Sequence, residues 1–164
     1  MPAEPLRMDL SKLAPEAYRR FLQLEGVICQ HVDRKLLHLI KLRASQINGC
    51  AYCLAMHTDE ALRDGEPTER LTLLDAWQES TLYSDKERAA LAWTEEVTLI
   101  ADSGAGKESF DALNEHFSED EIGWLTLAIV QINSWNRMAI SSRAQYDRKM
   151  LAHAAAAEKT PEPA

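Results

Sequence analysis

Two capping boxes place the strongest constraint on how this chain can fold. In Ser84-Asp85-Lys86-Glu87 and in Ser118-Glu119-Asp120-Glu121, the serine and the glutamate three residues later can each accept a hydrogen bond from the other's backbone amide. Apolar residues at helical spacing follow each box, so the two boxes mark the starts of two helices. The second helix is apolar almost all round from Ile122 to Ile140, which predicts that it is central and buried.

Helical spacing of the apolar residues continues through the rest of the chain. We predict an all-α, single-domain protein, because no segment shows the period-two alternation of a half-buried strand. The helical domain is predicted over residues 1–152, with an irregular arm over 1–10, and residues 153–164 are predicted to form a disordered tail. The predicted helices cover residues 14–31, 33–46, 50–64, 68–78, 85–103, 107–116 and 119–140.

Composition excludes several classes of protein. The formal net charge is −8 over 164 residues, so the electrostatic field of the chain does not favour nucleic acid, and we expect no nucleic-acid partner. No apolar run approaches the ~20 residues that span a bilayer, and we expect no membrane association. The N-terminal residues do not resemble a secretory signal, so we expect a cytoplasmic protein.

The candidate site is the segment that begins at Asn48-Gly49, two residues that readily adopt the left-handed conformation that ends a helix. If a new helix starts at Cys50, then Cys50, Cys53 and His57 fall at positions i, i+3 and i+7 on one face. The first turn of a helix favours a thiolate at Cys50. His57 lies four residues after Cys53 and can accept its thiol proton.

Three uses of this motif are open from the residues alone. The two thiols can act as a redox dithiol, they can bind zinc, or they can be buried and inert. A structural zinc site needs four ligands, and the motif offers three, with His38 as the one candidate for a fourth. We favour the redox dithiol and expect neither metal nor cofactor. The third cysteine, Cys29, is predicted to be a small buried hydrophobe.

The segment Leu42-Arg43-Ala44-Ser45-Gln46-Ile47-Asn48-Gly49-Cys50-Ala51-Tyr52-Cys53, followed by His57-Thr58, resembles the core motif of the AhpD-like alkylhydroperoxidases, within the carboxymuconolactone decarboxylase superfamily. Two later segments also resemble parts of that family, namely the segment from Ser84 to Trp93 and Asn133-Ser134-Trp135-Asn136-Arg137. The resemblance therefore extends over most of the chain.

This resemblance implies an all-helical homo-oligomer, a homotrimer or a homohexamer built as a trimer of dimers, that reduces a hydroperoxide with its two cysteines. It implies that Cys53 attacks the peroxide, Cys50 resolves the product as a disulfide, and His57 and Tyr52 belong to the proton relay. The partner that re-reduces the disulfide would be a thiol or dithiol. A lactone decarboxylase of the same superfamily is the alternative enzyme, and a non-catalytic zinc-binding or structural protein is the alternative outside enzymes.

One residue departs from the family pattern. The family usually has a glutamate twelve residues before the first cysteine, where it orients and charges the relay, and this sequence has His38 there. An imidazole does not carry the permanent negative charge of a carboxylate. His38 is nevertheless a candidate catalytic residue, and we expect the substitution to weaken peroxide turnover, to move its pH optimum or to indicate a different substrate. The alternative is that His38 is a polar residue of its helix without a catalytic role.

Overall fold

The computed structural model describes residues 5–147, and within this range the chain is helical with no β-strand. The predicted all-α class is therefore confirmed. The predicted tail, residues 153–164, lies outside the described residues. The helices are α1 Leu10–Leu13, α2 Pro15–His31, α3 Arg34–Asn48, α4 Ala51–Arg63, α5 Thr68–Leu73, α6 Asp85–Thr98, α7 Ile100–Ser103, α8 Lys107–Asn114 and α9 Glu119–Ser142, with a 3₁₀ turn at Leu74–Ala76.

Local sequence signals set most helix ends. Both capping boxes form, at Ser84 before α6 and at Ser118 before α9, with the reciprocal hydrogen bonds that the sequence predicts. Asp33 caps α3, its side chain accepting from the amide of Leu36 at 3.0 Å. Gly49 ends α3 in the left-handed conformation, at φ 66°. The next residue, Cys50, is the N-cap of α4.

Two predicted helices are shorter than expected. The helix predicted over 68–78 ends at Leu73, where the chain tightens into the 3₁₀ turn that buries Leu74. The helix predicted over 85–103 is interrupted at Leu99, whose backbone leaves helical geometry before α7 begins. In both places the apolar spacing continues across the break, which is why the spacing did not predict it.

The central helix is α3, which packs against α4, α6 and α9. Nine of its residues are buried, including the charged or polar side chains of His38, Lys41 and Ser45. The prediction that α9 is buried all round is wrong: Leu127, Val130 and Ile140 are 44–48% exposed. Composition alone cannot distinguish a helix surrounded by protein from one whose second apolar face lies on the surface of the chain.

Candidate active site

The dithiol lies where α3 turns into α4. Gly49 reverses the chain, and the amide of Cys50 donates to the carbonyl of Ser45 at 3.0 Å. Cys50 then caps α4, and Cys53 follows in its first turn. Both cysteines are only 1% exposed and pack with Ala44 and Ile132 in one apolar cluster. The sequence prediction that the motif sits at a helix start is confirmed.

The two thiols are electrostatically different. A hydrogen bond from Cys53 lowers the pKa of Cys50 to about 6, with further support from the amides of Cys53 and Tyr52 and the side chain of Asn136, and against the effect of burial. The same hydrogen bond and burial raise the pKa of Cys53. In the resting dithiol the first proton therefore leaves Cys50, and the remaining proton is held on Cys53.

His57 has one nitrogen bound and one free. Its Nδ1 lies 2.7 Å from Oε2 of Glu60, and since a carboxylate only accepts, the Nδ1 atom carries the proton. The other nitrogen, Nε2, is buried and is the one buried side-chain nitrogen or oxygen in residues 5–147 without a hydrogen-bond partner. An unpartnered lone pair on a ring that is 4% exposed is available to accept a proton.

Glu60 was absent from the residues that the sequence singled out. It lies three residues after His57, on the same face of α4, and this spacing is the signal that could have found it. Burial acts to raise the pKa of Glu60, but the hydrogen bond from His57 and the nearby charge of Lys41 outweigh it and hold that pKa below its usual value. Glu60 therefore stays ionised and fixes the tautomer of His57.

A cavity of about 370 Å³ opens beside this pair. Of the residues predicted from the sequence, Cys53, His57 and Tyr52 line it, whereas Cys50 and His38 do not. Burial raises the pKa of Tyr52, so its phenol stays protonated and can donate. The remaining wall is largely apolar and comes from the N-terminal segment, α2, α3, α4 and α9: Leu6, Met8, Asp9, Leu10, Ser11, Tyr18, Leu22, Glu25, Lys41, Met56, Glu60, Trp135, Met138, Ala139, Ser142 and Ala144.

His38 lies at the other end of α4, away from the cavity wall. Its Nε2 is 2.6 Å from Oδ2 of Asp64, the residue that ends α4. Arg34 pairs with the same carboxylate. The structure thus brings Cys50, Cys53 and His57 together on α4 and joins His38 to a separate, charged cluster.

Charged residues of the cavity were also missed by the sequence analysis. Lys41 and Glu25 form an ion pair on its wall, and Nε1 of Trp135 donates to Oε2 of Glu25 at 2.9 Å. Trp135 lies on the cavity wall and orients this carboxylate. The sequence signal was weak, because a single lysine or glutamate on a helix is usually solvated.

Cys29 differs from its prediction. It is exposed, not buried, because it follows Ile28 on α2 and so points away from the core that Ile28 enters.

Within residues 5–147, no three histidine, cysteine, aspartate or glutamate side chains are arranged to hold a metal ion. His38, the proposed fourth zinc ligand, is instead bound to Asp64. No helix of the described range is long and apolar enough to cross a membrane.

Asn133 and Asn136 support the dithiol from α9. Asn136 is fully buried, and its Nδ2 donates to Oγ of Ser45 at 2.9 Å. Asn48, which precedes the turn at Gly49, donates to both asparagine side chains at 2.9 Å. The hydrogen bonds of these polar residues anchor the turn that places Cys50.

Comparison with known proteins places this site in a family. Residues 15–96 match the model of the carboxymuconolactone decarboxylase family, a range that contains both cysteines, His57 and Glu60. The uncharacterized protein YdfG of Bacillus subtilis (strain 168) is 40% identical over 136 residues, which cover 82% of this chain and 92% of YdfG.

Two solved structures are also similar. A protein of unknown function from Agrobacterium tumefaciens, ATU0492, for which a role in antioxidant defence as AhpD has been suggested, is 42% identical with a TM-score of 0.84, over 87% of this chain and 99% of that one. The debrominase Bmp8 is 25% identical with a TM-score of 0.71, over 84% of this chain and 74% of that one. The chain therefore belongs to the carboxymuconolactone decarboxylase family and has the AhpD-like fold of that superfamily.

Proposed function

We propose that the protein is a thiol-dependent peroxidase, in which Cys53 attacks a hydroperoxide in the cavity and Cys50 then forms a disulfide with it. One observation carries the proposal: the free Nε2 of His57 is buried and belongs to the same cavity wall as the thiol of Cys53. A thiol at the wall of a cavity, with a base one helical turn away, is the arrangement that thiolate attack requires.

The proposed reaction begins with proton transfer. His57 Nε2 takes the proton of Cys53, and Glu60 stabilises the imidazolium that forms. The Cys53 thiolate attacks the terminal oxygen of the hydroperoxide, the O–O bond breaks, and the departing alkoxide takes the proton back from His57 as an alcohol. Cys53 is now a sulfenic acid, and the enzyme has donated two electrons.

The second step uses the other sulfur. Cys50, as a thiolate at the start of α4, attacks the sulfur of Cys53. The S–O bond breaks, hydroxide leaves and is protonated to water, and a Cys50–Cys53 disulfide remains. A thiol or dithiol reductant then returns both cysteines to the reduced state. Overall, one hydroperoxide and two thiols give one alcohol, one water and one disulfide.

Reductive dehalogenation is a second candidate, supported by the similarity to the debrominase over most of this chain. The cavity has the aromatic rings of Tyr18, Tyr52 and Trp135 on its wall, which suits a planar apolar substrate. The electron balance is the same: an aryl bromide and two thiols would give the arene, hydrogen bromide and the disulfide.

The test is a count of free thiols in a Cys29→Ser background before and after one equivalent of cumene hydroperoxide. We expect two thiols per chain to disappear and mass spectrometry to find the Cys50–Cys53 bridge. Cys53→Ser should reduce peroxide consumption to the rate without enzyme, because no nucleophile remains at the cavity wall. Cys50→Ser should instead consume one equivalent and leave a Cys53 sulfenic acid that dimedone traps.

Three outcomes would contradict the peroxidase proposal. An unchanged thiol count after cumene hydroperoxide would exclude the dithiol as the reductant. Loss of thiols and release of bromide with 2,3,4-tribromopyrrole, without reaction toward peroxide, would favour dehalogenation. Lactone decarboxylation that survives replacement of both cysteines would favour the alternative enzyme of the superfamily.

A further inference from the structure

A buried ammonium forms part of the cavity wall. Lys41 lies on the central helix α3 and is 8% exposed, which is rare for lysine. Its Nζ pairs with Oε1 of Glu25, its one hydrogen-bond partner in residues 5–147. An ammonium has three N–H donors, so two of them are left for other groups at this wall.

The position of this ammonium is fixed by three helices. Glu25 comes from α2, Lys41 from α3, and the indole of Trp135 on α9 holds the second oxygen of Glu25 at 2.9 Å. The ring of Trp135 is in turn packed edge-on against Phe21, with centroids 5.0 Å apart. Although burial acts to raise the pKa of Glu25, the charge and hydrogen bond of Lys41 hold that pKa below its usual value, so the pair is ionised.

Stability alone gives no reason to keep such a pair. A buried ion pair is often no more stabilising than apolar side chains of the same size, because desolvation of both charges offsets their attraction. The pair also stands on the wall of a largely apolar cavity, where apolar residues would be the simplest solution. The position of the pair therefore indicates that the positive charge of Lys41 has a role in the cavity beyond stabilising the fold.

The ionisable groups around Cys53 indicate which group the charge of Lys41 can act on. The cavity wall carries Asp9 before α1, Glu25 on α2 and Glu60 on α4, all carboxylates. Tyr18 and Tyr52 are the phenols of the wall and His57 is its imidazole, while Cys50, the second thiol, neighbours Cys53 without lining the cavity. Lys41 is thus the one lysine or arginine among the described residues that line the cavity.

We propose that Lys41, held in place by Glu25, is a positioning residue whose ammonium stabilises the thiolate of Cys53, the sulfur at the cavity wall, once His57 has taken the proton of that thiol. The inference rests on the proposed function for its purpose, since an attacking thiolate is needed at Cys53. The effect of the Lys41 charge on the thiol of Cys53 does not depend on which substrate enters the cavity. In the resting dithiol the amides at the start of α4 favour the charge on Cys50, so the ammonium acts on Cys53 when this second thiol loses its proton.

The electrostatics of the pair agree with this role. The hydrogen bond with Cys50 and the burial of Cys53 both raise the pKa of Cys53, whereas the charge of Lys41 lowers it. The two sulfurs thus compete for one negative charge, with helix amides favouring Cys50 and the ammonium favouring Cys53.

The test measures Cys53 alone, in a Cys29→Ser/Cys50→Ser background, by its rate of alkylation with neutral iodoacetamide as a function of pH. Lys41→Met keeps the length of the side chain and removes its charge. We expect the apparent pKa of Cys53 to rise by about one unit or more, so that alkylation below that pKa slows by about tenfold. Lys41→Arg should restore most of the rate, and Lys35→Met, an exposed position on the same helix, should change nothing.

Glu25→Gln separates a charge effect from a structural one. Removing a carboxylate while keeping the ammonium should lower the apparent pKa of Cys53, opposite to Lys41→Met. A merely structural ion pair would shift both variants in the same direction. The double variant Glu25→Gln/Lys41→Met leaves no unpaired charge in the fold, and we expect its Cys53 pKa to lie above that of the Cys53-only parent.

Equal pKa values for Cys53 in the Cys53-only parent and in folded Lys41→Met, or shifts of the same sign in Lys41→Met and Glu25→Gln, would overturn the proposal. Because alkylation needs no peroxide, this result is independent of peroxidase activity. A shift in the Cys53 pKa without peroxide turnover would reject the proposed function and keep the role of Lys41.

Discussion

Helices α3 and α4 carry two histidine–carboxylate pairs, and the two pairs differ in what they leave free. In the first, His57 binds Glu60 through Nδ1, while its Nε2 is buried without a partner among the described residues and its ring lines the cavity. In the second, Nε2 of His38 binds Asp64, whose carboxylate also pairs with Arg34, and neither His38 nor Asp64 lines the cavity. Of the two pairs, only the first has an unpartnered ring nitrogen and a place on the cavity wall that Cys53 also lines.

The comparison shows that a motif position does not determine what a side chain faces. His38 occupies the position at which the resemblance expects an acidic relay residue, yet its ring bonds the residue that ends α4. A carboxylate at position 38 would meet that of Asp64. For His57, the nearby acidic groups come from elsewhere: Glu60 on its own helix and Glu25 on α2.

The largest expected difference between the two pairs is in turnover. His57→Ala should lower kcat/KM for cumene hydroperoxide by roughly 10²–10⁴, because the free Nε2 is the proposed general base. His38→Ala should lower it by less than about threefold, since His38 does not reach the cavity. Steady-state kinetics on both variants, with folding checked by circular dichroism, make the comparison. A larger loss for His38→Ala would reverse the assignment of the two pairs.

A smaller effect is expected from the carboxylates. Glu60→Gln should lower kcat/KM by about 10–10²-fold, because the amide no longer fixes the tautomer of His57 or stabilises its imidazolium. Asp64→Asn is the matched control from the other pair and should stay within about twofold. The diagnostic measurement is the pH profile of kcat/KM. We expect Glu60→Gln to shift the part of the profile that reports protonation of the general base, and Asp64→Asn to leave that part unchanged. Identical profiles for the parent and Glu60→Gln would remove Glu60 from the mechanism.

The smallest effect concerns stability in acid. Hydrogen bonds from Arg34 and His38 outweigh desolvation and lower the pKa of Asp64 below its ordinary value of 3.8. A group whose pKa is depressed in the folded state contributes stability above its unfolded pKa, and this contribution is lost as the pH falls through the folded value. Asp64 should therefore stabilise the protein at pH 5 and lose this contribution as the pH drops below about 4.

Urea denaturation at pH 5 and pH 3 tests this sign. The loss of unfolding free energy between the two pH values should be smaller in Asp64→Asn than in the parent protein. Asp102→Asn, at an exposed carboxylate of α7, serves as the control. An equal loss of stability in Asp64→Asn and the parent would show that the Asp64 pair contributes nothing to stability.

The helices and their ends follow from local signals in the amino-acid sequence. Capping boxes, Asp33, Gly49 and the spacing of apolar residues act within a few residues of chain, so they predicted the helix starts and placed Cys50, Cys53 and His57 on one helix face. The same local signals led to two wrong predictions of burial, one for Cys29 and one for the exposed face of α9. Whether an apolar residue is buried depends on what packs against it, which the spacing does not state.

Which of these residues contact one another depends instead on how the helices pack. Glu25, Lys41 and Trp135 lie on three helices and are up to 110 positions apart in sequence, yet they form one hydrogen-bonded group at the cavity wall. The same packing turned His38 toward Asp64 and left Nε2 of His57 open. Such pairings arise from the relative placement of whole helices, because helix spacing fixes only which side chains share a face and not what that face contacts.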